Sequence, residues 1–257
     1  MVCGAQCGVL RCEHHETHCC GCCGSASPTV KPVSPSSSSL SPPVALHAVP
    51  EMCVMAFDVM TCELGKAHRS MASLASGSQM MQWSEVQCGV FVTYNKWSES
   101  ESRWRLRGCL GTLQPMELLA GLRTYACHSA FRDRRFNPIR REELPLLQVG
   151  VSLLFDFETV RHGLHDWTIG VHGLLLDFKV RKQSFSATFL PDVIPEQGWD
   201  KETTLRQLVH KSGYEGQISA ETLQRAVLTR YKSSKCSMDF SAYNQRTRSH
   251  EKQAARR

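Results

Sequence analysis

The sequence predicts an α+β fold, a mainly antiparallel sheet with flanking helices. Three observations carry this expectation. The apolar run Val90–Tyr94 and the run Trp104–Leu113 are separated only by a charged turn, Lys96–Arg103. A second pair of runs, Gly173–Val180 and Ser184–Leu190, flanks Arg181-Lys182-Gln183 and reads as a hairpin. Strands therefore meet through short turns more often than through helices, which disfavours a doubly wound sheet.

Taken in order, the elements have local causes. Pro50-Glu51 opens a helix to about Leu64, because proline suits the first helical position and an acid the positive helix end. Met52, Met55, Val59 and Met60 then share one face. Residues 66–86 are rich in Ser, Gly and Met and read as irregular. Pro115–Phe131 reads as a helix with Leu118, Leu119, Leu122, Tyr125 and Ala126 along one stripe. Leu146–Phe155 reads as a buried strand, Lys201–Lys211 as a helix ending before Gly213, and Ala220–Leu228 as a short helical or extended piece.

Composition bounds the rest. The chain has 257 residues, 42% hydrophobic and 21% charged, enough for a sizeable core. No apolar run approaches the ~20 residues of a membrane-spanning helix. No apolar stretch near the start reads as a secretory leader. No fixed period recurs, which excludes collagen, coiled coil and solenoid. Of the net charge of +6, most sits at the end, where residues 245–257 hold five Lys/Arg and one acid. That is a solubilising tail rather than the one-sided basic face of a nucleic-acid domain.

The expected division is a Cys-rich and Ser/Pro-rich disordered stretch over 1–46, a folded domain over 47–240 and a basic tail over 241–257. Seven of thirteen cysteines lie in the first 23 residues, with His14, His15 and His18 interleaved. Overlapping Cys-x-x-Cys pairs, Cys19/Cys22 and Cys20/Cys23, have metal-like spacing, but ten candidates crowd together with nothing apolar beneath them. They read as a disordered tail with adventitious metal affinity, ahead of a defined zinc site or S-acylation, and no metal site is assigned. Ser and Pro fill 13 of the 22 positions of Ser25–Leu46, a linker composition. The scattered remaining cysteines and the odd total argue against a disulfide framework and for a reducing compartment.

The segment Arg107-Gly108-Cys109-Leu110-Gly111-Thr112 carries the clearest chemical signal. Glycines on either side of a thiol admit a close ligand, Arg107 would favour the thiolate, and a helix starting at Pro115 would receive an anion at its N-terminus. The plainer reading is that Cys109 is a small core residue and the glycines serve packing. Phe131-Arg132-Asp133-Arg134-Arg135-Phe136, with Arg140 and Arg141, is either an anion or nucleic-acid contact or a solvated loop. His128 and His172 have the residue type of a general base, although a turn role explains His172 within Gly170-Val171-His172-Gly173. No GxxxxGK[ST], GxGxxG, HExxH or G-x-S-x-G motif occurs, so no cofactor is assigned.

At Arg107–Thr112 the chain resembles the AMMECR family, whose signature reads Leu-Arg-Gly-Cys-Ile-Gly; Leu110 replaces the isoleucine. The likeness continues through Gly121-Leu122-Arg123, Ser129-Ala130, Asp133 with Arg135-Phe136, Glu143-Leu144-Pro145, Val151–Leu154 and Gly170–Gly173. It runs on through Phe189-Leu190-Pro191, Glu196–Asp200 and Leu228–Tyr231, covering about residues 50–240. Residues 66–87 depart most from the family's pattern. The resemblance implies a two-part α+β domain wrapped around the signature and supplies no reaction. It implies signature positions Arg107, Gly108, Cys109 and Gly111, with Asp133, Arg135, His172 and Glu196 beside them. It further implies a nuclear or cytoplasmic location and an association with Memo-type and radical-SAM proteins in macromolecule modification. Three readings follow: an intracellular regulator or interaction partner; an enzyme with Cys109 as nucleophile, helped by Arg107 and either His128 or His172; and a nucleic-acid binder through Arg132–Arg141.

Overall fold

The computed structural model describes residues 46–65, 77–216 and 218–254. The N-terminal Cys/His cluster, the Ser/Pro linker, the stretch 66–76 and residues 255–257 lie outside the described residues. Six strands form one sheet in the order β2-β1-β3-β6-β4-β5. They are β1 (Gln87–Ser98), β2 (Arg103–Glu117), β3 (Leu147–Thr159), β4 (Gly173–Val180), β5 (Gln183–Phe189) and β6 (Val227–Asp239). Every neighbouring pair is antiparallel, so the α+β expectation holds.

Side chains alternate across a strand, and this alternation places the helices. Val90, Val92 and Tyr94 of β1 point to one face and are buried. There α1 (Pro50–Glu63) and α3 (Leu118–Phe131) pack against each other, α3 over β1 and β2 and α1 over β3 and β6. The Tyr94 hydroxyl donates to the Ala56 carbonyl at 3.1 Å, fixing α1 over the sheet. Residues 52–57 of α1 are all buried, so this helix is enclosed on several sides rather than along one stripe, and Val59 is only half-buried. A second apolar cluster fills the β4–β5 end. Leu174, Leu176, Phe178 and Leu228 meet Leu205, Leu208 and Val209 there. Helix α4 (Val193–Glu196) supplies the buried Ile194, and the other three residues come from α5 (Lys201–Lys211).

Four expectations are corrected. Residues 77–85 are helical, α2 (Gly77–Glu85), rather than irregular. Pro115 lies in β2, and the helix begins at Leu118. β2 is an edge strand, where a residue without an N–H is tolerated. A register shift between Cys88 and Val90 absorbs extra β2 residues at that point. The short piece at 220–228 divides into α6 (Ala220–Gln224) and the start of β6. The segment read as a tail from 241 is α7 (Phe240–Ala254). Its Phe240, Tyr243 and Thr247 are buried, and the Tyr243 hydroxyl donates to Asp58 Oδ1 at 2.7 Å. Among the described residues no helix is long and apolar enough to cross a membrane.

Candidate functional site

The signature lies in β2 at the open edge of the sheet, and its surroundings explain each residue. Gly108 stands opposite Tyr94, so a side chain there would point toward α3. A Cβ would meet the Ser129 carbonyl oxygen at 2.1 Å. Gly111 stands opposite Phe91, whose ring would be 2.3 Å from a Cβ. The first glycine lets the helix backbone close onto the strand, and the second lets an aromatic ring lie across it.

Close approach lets Ser129 bridge two strands. Its hydroxyl accepts from Leu110 N at 2.8 Å and donates to the Val92 carbonyl at 2.7 Å. Beyond α3 the chain returns along the edge of β2. There Asp133 Oδ2 accepts from Cys109 N at 2.9 Å, and Arg135 Nη2 donates to the Cys109 carbonyl at 2.9 Å. The two side chains form their own bidentate pair, Nε–Oδ1 2.9 Å and Nη2–Oδ2 2.7 Å. The outward N–H and C=O of an edge strand are groups that otherwise recruit another strand. Burial of Asp133 raises its carboxyl pKa, but hydrogen bonds from Arg135 and from the Cys109 and Arg135 amides outweigh burial and hold it below the usual range.

Arg107 does not serve the thiol. Its Nε and Nη2 each lie 3.0 Å from a Glu143 oxygen, and Nη1 donates to the Asn137 carbonyl at 2.7 Å. Glu143 also accepts from Lys96 Nζ and Arg140 N, both at 2.9 Å. Burial raises the Glu143 pKa, yet these donors overcome it and pull the carboxyl down to about 2. The Cys109 thiol stands on the other side of β1's alternation, 3.1 Å from Thr93 Oγ1, whereas Lys96 shares the helix-facing side with Tyr94. Nor does a helix N-terminus face the thiol, because α3 begins at Leu118, after Glu117 has paired with Gln87, six β1 positions from the Thr93 that pairs with Cys109.

The histidines are separated from the thiol in different ways. His128, on α3, meets Arg132 Nη1 at 3.2 Å and the Tyr125 ring edge-on. Burial first, then Arg132, lowers its pKa. His172 precedes β4, four strand positions from β2, about 19 Å across the sheet. Its Nδ1 accepts from Thr168 N at 3.0 Å, and burial followed by Arg230 and Lys232 lowers its pKa. Glu196 is exposed in α4, beyond β5. The structure thus brings together Arg107 to Gly111, Asp133 and Arg135, and leaves His172 and Glu196 apart. Among the described residues no group of three His, Cys, Asp or Glu side chains is placed to hold a metal.

Sequence reasoning missed the neighbours across the sheet. Pairing aligns Cys109 with Thr93, Thr93 with Gly150, and Gly150 with Ser237. This row of small residues crosses four strands on the face opposite α1 and α3. Phe91 and Ser152 border it on one side. On the other, Asn95 Nδ2 donates to Gln148 Oε1 at 3.4 Å, and beyond them Trp97 and Trp104 meet edge-on at 5.3 Å. Thr93 and Cys109 are half-buried and Ser237 is exposed. The row has the thiol at one end, the buried Gly150 within it and the exposed Ser237 at the other end.

Comparison with known proteins gives the family and the fold. A family model described as AMMECR1 matches residues 53–236. An uncharacterized protein of Arabidopsis thaliana is 43% identical over 161 residues, 62% of this chain and 74% of its own length. An uncharacterized protein of Saccharomyces cerevisiae is 38% identical over 176 residues, 60% of this chain and 70% of its own. Among solved structures, an uncharacterized protein from Pyrococcus horikoshii shares the fold with a TM-score of 0.56 and 24% identity, over 72% of this chain and 89% of that one.

Proposed function

This chain belongs to the AMMECR1 family, and from that premise we propose that it is an intracellular recognition module, a regulator or interaction partner of other proteins. Its binding surface is the Cys109–Thr93–Gly150–Ser237 row. One observation carries this reading: the charged signature residues are spent on backbone and on one another, while the row they hold in register lies on the face opposite α1 and α3 and runs from the half-buried Cys109 and Thr93 over the buried Gly150 to the exposed Ser237. Arg107 is bound by Glu143 and Arg135 by Asp133, so neither is arranged to polarise a substrate at the thiol. The row's uncharged polar groups and the flanking tryptophans suit a protein surface, since aromatic residues are enriched at interface cores.

The nucleic-acid reading draws less support. Of the arginines in 132–141, Arg132 contacts His128, Arg135 contacts Asp133 and Arg141 donates to the Leu64 carbonyl. The enzyme reading retains one favourable observation, a half-buried thiol beside a hydroxyl.

The test compares captured proteins from cell extract, quantified by mass spectrometry, for the unaltered protein, Ser237→Arg and Lys182→Glu on the distant β4–β5 turn. The reading expects a defined set to be lost with Ser237→Arg and kept with Lys182→Glu. Equal capture by all three sinks it. Alkylation of Cys109, followed against exposed Cys62, separates the enzyme reading. A nucleophile would outpace Cys62 at pH 6–7, and a binding row would not.

A further inference from the structure

Helix α1 sets Cys53 directly over the cross-strand pair Val151–Cys236, which joins β3 to β6. The Cys53 thiol donates to the Cys236 carbonyl oxygen at 3.4 Å, and strand alternation puts the Cys236 side chain on the same helix-facing side of the sheet as Val151 and Val92. Cys53 is wholly enclosed and Cys236 is half-buried. The candidate surface uses neither of them. One enclosed cysteine beside one half-buried cysteine across an element boundary is the arrangement that suits a resolving and an oxidisable cysteine.

We propose that Cys53 and Cys236 form a reversible dithiol–disulfide pair, oxidised by peroxide, that ties the first helix to the last strand. Peroxide meets Cys236 first, because Cys236 is half-buried whereas Cys53 is wholly enclosed. An S–O bond forms on Cys236, the O–O bond breaks, and one water leaves, giving a sulfenic acid. The Cys53 sulfur then attacks the Cys236 sulfur. The S–S bond forms, the S–O bond breaks, and the hydroxyl departs with the Cys53 proton as a second water. Two thiols lose two electrons and two protons, and one peroxide becomes two waters. A small thiol reductant reverses the reaction by exchange.

The order of the steps has a physical cause. Burial, followed by the neighbouring Cys236, pushes the Cys53 thiol far above the ordinary thiol range, so it stays protonated and inert toward peroxide. Its attack on Cys236 is intramolecular, and that proximity offsets its small thiolate fraction, the proton passing to the departing hydroxyl. The elements it would join are held here by non-covalent contacts alone. Ala48 N, just before α1, donates to Ser234 Oγ of β6 at 3.0 Å, and the Cys53 thiol donates to the Cys236 carbonyl. A bond between positions 183 residues apart closes a long loop, the case in which a cross-link most restricts the unfolded chain.

The test exposes the full chain to hydrogen peroxide, blocks remaining thiols with iodoacetamide, and maps peptides by mass spectrometry without reduction. The expected product joins the Cys53 and Cys236 peptides with loss of two hydrogens. The midpoint of thermal unfolding rises by about 5 °C or more, and dithiothreitol reverses both changes. Cys236→Ser should leave Cys53 reduced. Cys53→Ala, small enough for the same space, should leave Cys236 as a sulfenic or higher acid with no rise in the midpoint. Cys53 recovered reduced while Cys236 is oxidised, or Cys236 joined to any other cysteine, overturns the proposal.

Discussion

At the β5 end of the sheet, α5 lays Leu205, Leu208 and Val209 against Leu174, Leu176 and Phe178, and the rings of Phe178, Phe185 and Tyr214 stack or meet edge-on. At the β2 end the contacts are of another kind. A carboxylate, a hydroxyl and two guanidinium groups grip main-chain atoms of β2 and of the loop beside it. Apolar burial scales with area and is indifferent to direction. A charged hydrogen bond is directional and disappears with its proton balance. One end should therefore respond to lost volume at any pH, and the other to geometry and acidity.

The largest effect should come from Gly108→Ala. The added carbon would sit 2.1 Å from a backbone oxygen, and relief requires moving α3 off the strand. A loss of roughly 4 kcal/mol, or failure to fold, is expected in denaturant unfolding. Gly150→Ala, with nothing nearer than 3.9 Å, should change stability by less than about 1 kcal/mol. Equal costs at the two glycines would break the claim that close backbone approach governs the signature.

At the other end, Leu208→Ala removes a wholly buried side chain and should cost about 3 kcal/mol. The same value should be measured at pH 7 and at mildly acidic pH. A strong pH dependence of that cost would show that the two ends are not separable as drawn.

Glu143→Gln tests the polar end by its acidity. The carboxyl falls from 4.5 to about 2 in the folded chain and its side chain is 15% exposed. A depressed acid stabilises the fold above its unfolded pKa, and the contribution is lost as pH falls through the folded value. The variant should thus cost roughly 2–3 kcal/mol near pH 7. The gap to wild type should narrow from about pH 5 and close toward pH 2. A gap that widens in acid has the wrong sign and refutes the assignment.

The smallest effect belongs to Glu158→Ala. Glu158 pairs with Arg230 at 2.8 Å but is 66% exposed, and such pairs contribute below about 1 kcal/mol. A larger cost would reveal a third kind of region.

What the sequence made legible follows the same division. The hairpins and the helices at 50–63 and 201–211 have local causes: alternation, proline at a helix start, and Asp200 capping Thr203 N at 2.7 Å. β6 does not. Its stretch Lys232-Ser233-Ser234-Lys235 has no apolar alternation, and it is a strand because β3 pairs with it, while β4 pairs with the preceding residues 227–231. Pro115 imitates a helix start, but an edge strand tolerates it. The signature was visible at Arg107–Gly111, whereas its partners Ser129, Asp133 and Glu143 lie 19 to 36 positions away. The row from Cys109 to Ser237 exists only once strand register is set. Arg107 lies two residues from the thiol and by sequence alone would tune it, yet the guanidinium answers to Glu143.

Amide hydrogen exchange at Cys109 tests the central claim most directly, that the signature's polar side chains clamp the backbone of an edge strand. If Asp133 holds Cys109 N, that amide exchanges as slowly as interior amides of β1, despite its place at the sheet's edge. Asp133→Ala should then accelerate exchange at Cys109 by at least about tenfold, with interior β3 amides unchanged. Rapid exchange at Cys109 in the unaltered protein, or no acceleration in the variant, would contradict the account.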